Sequence, residues 1–119
     1  MRMQIGSDGI ILVELPDGPE TSRALDSVIS RVHGREDDVV IDFSKVAIAT
    51  SESLAPLLHL RELLCSHGNR VVLCGMNRSV KSVFSVTELD GVFEIAGDRD
   101  DALAALQIPS KNQKATETI

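Results

Sequence analysis

Three hydroxyl side chains, Thr50, Ser51 and Ser53, stand directly before a leucine-rich helical pattern. Hydroxyls in that position can do two kinds of chemistry. They can accept hydrogen bonds from the free N–H groups of the first helical turn, worth about 1 kcal/mol. They can also carry a phosphoryl group, because a helix N-terminus suits an anion and a phosphoserine brings close to two negative charges. Glu52 lies among them and would repel such a group. Other chemistries find less support. His59 and His67 are eight residues apart and His33 belongs to a different helix, so no histidine pair has the i, i+4 spacing of a helical metal site. Cys65 and Cys74 lie in apolar stretches at a spacing that fits neither a CxxC motif nor a zinc site, and read as buried free thiols. There is no GxxxxGK[ST], no GxGxxG and no GxSxG, so neither an enzyme nor a metal or other cofactor is expected.

The elements that must position the hydroxyl cluster follow from periodicity. Residues 2–7 and 10–13 read as two strands joined by a tight turn at Asp8-Gly9. Pro16-Asp17-Gly18-Pro19 breaks the second strand. A helix over about residues 20–33 then places Leu25, Val28, Ile29 and Val32 on one face, and Gly34 stops it. Residues 39–43 and 71–74 are continuous apolar strands, which implies burial on both faces of a sheet. Between them a turn-rich stretch leads into a long helix ending near residue 67, with Leu54, Leu57, Leu58, Leu60, Leu63 and Leu64 as its stripe. Proline suits the first turn of a helix and not later ones. Pro56 therefore predicts that regular helix begins at Ser53 or Leu54 and leaves Ser51 in the loop. Asn77 or Ser79 can cap a third helix with Val80, Val83, Phe84 and Leu89 inward. Residues 92–95 form a short strand, and Asp98 caps a last helix. The order is ββαβαβαβα, an α/β fold with a mixed, mainly parallel sheet. It fills one domain over residues 1–108, and residues 109–119 read as a disordered tail.

Composition removes several classes of function. Twelve Lys and Arg against 18 Asp and Glu give a net charge of −6. With that charge, and with no Trp or Tyr to stack bases, nucleic-acid binding is not expected. No apolar run approaches the roughly 20 residues of a membrane span, and residues 1–4 lack the apolar core of a signal peptide, so a cytoplasmic protein is expected. The acidity is uneven. Residues 45–85 carry Lys45, Arg61, Arg70, Arg78 and Lys81 against Glu52 and Glu62, a net +3. A basic segment around the hydroxyl cluster favours an acidic partner surface.

The stretch from Asp42 to Leu58 resembles the STAS-domain family, the anti-sigma-factor antagonists of bacteria. Their pattern is a buried strand with Asp-Phe or Asp-Leu, a Val a few residues on, then Asp-Ser-Ser-Gly-Leu opening a helix. Asp42, Phe43 and Val46 match, and Thr50-Ser51-Glu52-Ser53-Leu54 occupies the place of Asp-Ser-Ser-Gly-Leu. Gly68, Val71-Val72-Leu73-Cys74, Val80-Lys81-Ser82-Val83-Phe84 and Phe93-Glu94-Ile95 look like later pieces of the family pattern. The resemblance implies a STAS-like domain that binds an anti-sigma factor with Ser/Thr kinase activity and so acts in transcription regulation. It places the phosphoacceptor on Ser51, with Thr50 and Ser53 as lesser candidates. Three of the five motif positions differ here, namely Thr50, Glu52 and Ser53. The alternative is a STAS adaptor or scaffold that has lost phosphoregulation, in a stress-signalling scaffold or a lipid-transport complex. In either case the expected partner surface comprises Thr50, Ser51, Glu52, Ser53, Arg78 and Lys81. A wide leucine stripe on the long helix also leaves room for a homodimer.

Overall fold

Three apolar runs form the centre of the molecule: β2 (Ile10–Glu14), β3 (Asp38–Asp42) and β4 (Val71–Cys74). The computed structural model describes residues 1–6 and 9–107. β2, β3 and β4 pair in parallel, with Leu12 beside Val40 and Ile41 beside Leu73. β1 (Arg2–Ile5) adds to β2 in antiparallel fashion, and β5 (Glu94–Ile95) adds to β4 in parallel. The sheet order is β1-β2-β3-β4-β5, so neighbours in sequence are neighbours in space.

Alternation along each strand feeds two cores. Val39, Ile41, Val71 and Leu73 face one side, where they meet Leu25 and Val28 of α1 (Glu20–Val32). Leu57, Leu60 and Leu64 of α2 (Ser51–Ser66) and Val80 and Phe84 of α3 (Arg78–Val86) complete that layer. Val40, Val72 and Cys74 face the other side and pack on Ala102 of α4 (Arg99–Leu106). Strands covered on both faces need apolar residues at every position, which is why β3 and β4 lack alternation. No described helix is long and apolar enough to cross a membrane.

The fold corrects four details of the sequence reading. The main one is the start of α2. Helix begins at Ser51, not at Ser53 or Leu54, and Pro56 lies inside it. The Thr50 carbonyl accepts from both Ser53 N (3.0 Å) and Leu54 N (3.3 Å), so the first turn closes before the proline is reached. Pro56 then costs the Glu52 carbonyl its helical N–H partner, while burial of Leu57, Leu60 and Leu64 holds the helix together. Second, α3 ends at Val86, and Leu89 sits in a separate 3-10 turn, Leu89–Gly91. Third, the last strand is confined to residues 94–95. Fourth, Cys65 is exposed and only Cys74 is buried. The Asp8 half of the proposed hairpin turn and the proposed tail, residues 109–119, lie outside the described residues.

Candidate functional site

The site grows from the C-terminal ends of the parallel strands, where open α/β sheets present their loops. Glu14, Asp42 and Cys74 stand side by side in the register of β2, β3 and β4. Asp42 is almost fully buried, at 4% exposure, and has two jobs. Its Oδ1 accepts from Ser44 N at 2.9 Å, which turns the chain out of the strand. Its Oδ2 accepts from Arg99 Nε at 2.6 Å, and Arg99 Nη2 donates onward to Glu14 Oε2 at 2.6 Å. Lys45 completes the cluster, with Nζ 3.0 Å from Glu14 Oε1. Helix α4, on the far face of the sheet, is thereby tied to the root of the loop preceding α2.

That loop, residues 44–50, is clamped from both sides. Val46 is buried beneath it as an apolar foot. Ala47 N donates to Asp17 Oδ1 at 3.0 Å, a contact from the loop before α1. Asn77 Nδ2 donates to the Ala47 carbonyl at 3.1 Å and the Val46 carbonyl at 3.4 Å. The Oδ1 of the same amide accepts from Val80 N at 2.8 Å and caps α3. One side chain therefore starts α3 and holds the loop. What the clamps leave outside is Ile48, an isoleucine at 68% exposure.

Of the residues singled out in the sequence, Thr50 is the N-cap of α2, with extended backbone and no side-chain capping bond. Its Oγ1 lies 3.5 Å from Ser53 Oγ. Ser53 is buried, and Glu52 is exposed in the first turn, where the helix dipole favours a carboxylate. Ser51 is the first residue of the helix, and its side chain lies outside the described residues. Arg78 and Lys81 are exposed on α3 and line an open depression of about 320 Å³ with Ser82 and Ser85. Thr50, Glu52 and Ser53 do not line it. Asn77, the residue before Arg78, is in hydrogen-bonded contact with the loop that leads to Thr50.

Sequence reasoning missed three contributors: Asp17, the clamping role of Asn77, and Arg99. Asn77 was legible as a cap, and its second role depends on a loop 30 residues away in sequence. Arg99 meets a carboxylate 57 residues distant, and nothing local signals that contact.

Electrostatics follow the same geometry. Burial raises the Asp42 pKa, but the Arg99 guanidinium and the Ser44 N–H outweigh it and hold the carboxyl below its ordinary value. The hydrogen bond from Lys45, with Arg99 behind it, likewise lowers Glu14. Burial next to the Asp42 charge pushes the Cys74 thiol up to about 12, so it stays protonated and unreactive at neutral pH. A carboxylate depressed in the folded state stabilises above its unfolded pKa, and that contribution is lost as pH falls through the folded value. Urea unfolding at about pH 7 and about pH 3 is expected to show the unmutated chain losing more stability over this interval than Asp42→Asn does. Equal losses would remove Asp42 from the acid response.

Comparison with known proteins agrees with this architecture. The profile described as "Mlab, STAS domain" matches residues 18–96. No curated protein sequence matches the chain significantly. Among solved structures, an anti-sigma-factor antagonist (STAS) domain protein from Planctomyces limnophilus superposes with TM-score 0.79 at 17% identity, covering 90% of this chain and 97% of that one. An anti-sigma factor antagonist from Mycobacterium paratuberculosis gives TM-score 0.76 at 24% identity, covering 90% and 92%. A chain from the stressosome, described as a signal integration and transduction hub, gives 0.70 at 19% identity, covering 89% and 96%. At these identities the structural likeness concerns the fold.

Proposed function

The chain belongs to the STAS domain family, and on that premise we propose that it is a regulatory protein-binding module switched by phosphorylation at Ser51. It is a binding protein and not an enzyme, acting in the cytoplasm on transcription. The partner is an anti-sigma factor that is also a Ser/Thr kinase. The contact surface comprises Thr50, Ser51, Glu52 and Ser53 at the head of α2, with Arg78 and Lys81 on α3.

One observation carries this reading: Ser51 is the first residue of α2, directly after a loop clamped by Asp17 and Asn77. A loop already held by hydrogen bonds lowers the ordering cost of binding at the head of α2. A neutral hydroxyl is tolerated in an interface, whereas a dianion must be paired or expelled. The solved neighbours described as anti-sigma-factor antagonists support the partner class. Burial of Ser53 leaves Thr50, which is exposed, as the better second acceptor.

Incubation with the cognate kinase and ATP, read by mass spectrometry, tests the switch. Phosphate is expected on Ser51 of the unmutated chain and on neither Thr50 nor Ser53. Ser51→Ala should abolish incorporation while keeping the complex, and Ser51→Asp should weaken the complex at least tenfold. Undiminished phosphorylation of Ser51→Ala would refute the assignment.

Glu52 favours a second reading. Its exposed carboxylate already complements the helix dipole beside Ser51. On this reading the chain is an adaptor or scaffold without phosphoregulation, in a stress-signalling assembly or a lipid-transport complex. A transporter ATPase recovered with the chain, and no phosphate incorporated, is the result expected from that alternative.

A further inference from the structure

The two edges of the sheet are finished differently. β5 is two residues long, and side chains crowd it. Arg61 Nε donates to the Val92 carbonyl at 3.0 Å, and Arg70 forms an ion pair with Glu94. β1 is four residues long, with no proline and a single charged side chain, Arg2, on the face opposite Ile5. Natural edge strands usually carry such guards against strand addition. β1 also has apolar side chains facing water, with Ile5 at 56% exposure and the adjoining Met1 at 45%.

The hydrogen-bond pattern fixes which groups of β1 are outward. Gly6 N donates to the Ile10 carbonyl at 2.9 Å, so Gly6 and Ile10 are a bonded pair. Antiparallel ladders alternate bonded and non-bonded pairs. Gln4 with Leu12 and Arg2 with Glu14 are therefore bonded, while Met3 with Val13 and Ile5 with Ile11 are not. The N–H and C=O groups of Met3 and Ile5 point away from β2.

We propose that this edge pairs in antiparallel fashion with β1 of a second copy of the chain, about a twofold axis at Met3. Only odd residues can bond across such an axis, and opposed residues share a face. Met3 then faces Met3, with two reciprocal hydrogen bonds, and Ile5 faces Met1 of the second copy. The exposed Ile5 and Met1 side chains cover each other twice. On the other face Arg2 stands opposite Gln4, so no like charges meet. The two five-stranded sheets become one of ten strands, and the loops after β3 and β4 stay free for another partner. The pairing is isologous and closed, so it stops at the dimer.

Sedimentation of the full chain from about 10 to about 500 μM tests it. A monomer–dimer equilibrium is expected, with hydrogen exchange at Met3 N–H slowing as concentration rises. Ile5→Lys should raise the dimer dissociation constant about 30-fold or more, because it buries a charge against Met1 in both copies. Ile5→Pro should do the same, since it removes an outward N–H and none of the bonds to β2. Ile5 is more than half exposed, so both variants should keep the unmutated thermal midpoint at the lowest concentration. A monomer throughout the range would overturn the proposal, as would a dimer that neither variant weakens. Both readouts are independent of partner binding and of Ser51.

Discussion

Gly75→Ala is expected to destabilise the protein by about 2–4 kcal/mol and to loosen the proposed site with it. Gly75 follows β4 with φ of +71°, in the left-handed region. A Cβ there costs about 1–2 kcal/mol from backbone sterics alone. It would also stand 2.4 Å from Asp42 Oδ1 and 3.1 Å from Ser44 N. The first contact is shorter than atoms tolerate, so one of them must move. Asp42 cannot yield without lengthening its bonds to Ser44 N and Arg99 Nε. The strain therefore passes to the root of the 44–50 loop and, through residues 75–77, to the Asn77 clamp. Urea denaturation measures the loss. The double variant Asp42→Ala/Gly75→Ala should be less destabilised than the two single losses added together, because the colliding carboxylate is gone. Strict additivity would show that the backbone conformation alone is responsible. Hydrogen exchange at Ala47 N–H should quicken in Gly75→Ala; an unchanged rate would disconnect Gly75 from the loop.

Phe84→Ala is expected to cost about 3–5 kcal/mol. Phe84 is 1% exposed and lies between two other rings. Its centroid is 6.2 Å from Phe43 at an interplanar angle of 86°, and 5.9 Å from Phe93 at 77°. Such edge-to-face pairs add about 0.5–1.5 kcal/mol each beyond the area they bury. Phe43 directly follows β3, Phe84 belongs to α3, and Phe93 precedes β5, so one truncation opens a cavity where three segments meet. The chain has no other aromatic residue to refill the space. Phe84→Leu keeps most of the volume and loses the ring edges, and should cost less than half as much. Thermal or urea unfolding separates these outcomes, and similar losses for the two variants would show that ring geometry, and not cavity volume, dominates.

Much of the scaffold was readable because its determinants are local. Continuous apolarity in residues 39–41 and 71–74 announced strands covered on both faces, and Asn77 and Asp98 announced helix starts by their capping chemistry. Pro56 misled for a physical reason. Its penalty is one lost hydrogen bond and a steric push, and neither is visible against the leucine packing of α2 until that packing is known. Cys65 misled in the same way, since apolar neighbours along a helix do not say which face a residue occupies.

The sequence by itself determined the element order, the two-sided burial of the central strands, the family resemblance and the position of Ser51 before a leucine stripe. Those follow from periodicity and short motifs, which act over a few residues. The tertiary structure alone decided that Asp17 and Asn77 clamp the same loop, that Arg99 reaches across the sheet to Asp42, and that Ser53 turns inward while Ile48 turns out. Each of those is a contact between segments 30 or more residues apart, or the face a side chain takes once the helices have packed. No local preference encodes such a contact, because its energy exists only when the sheet has brought the segments together.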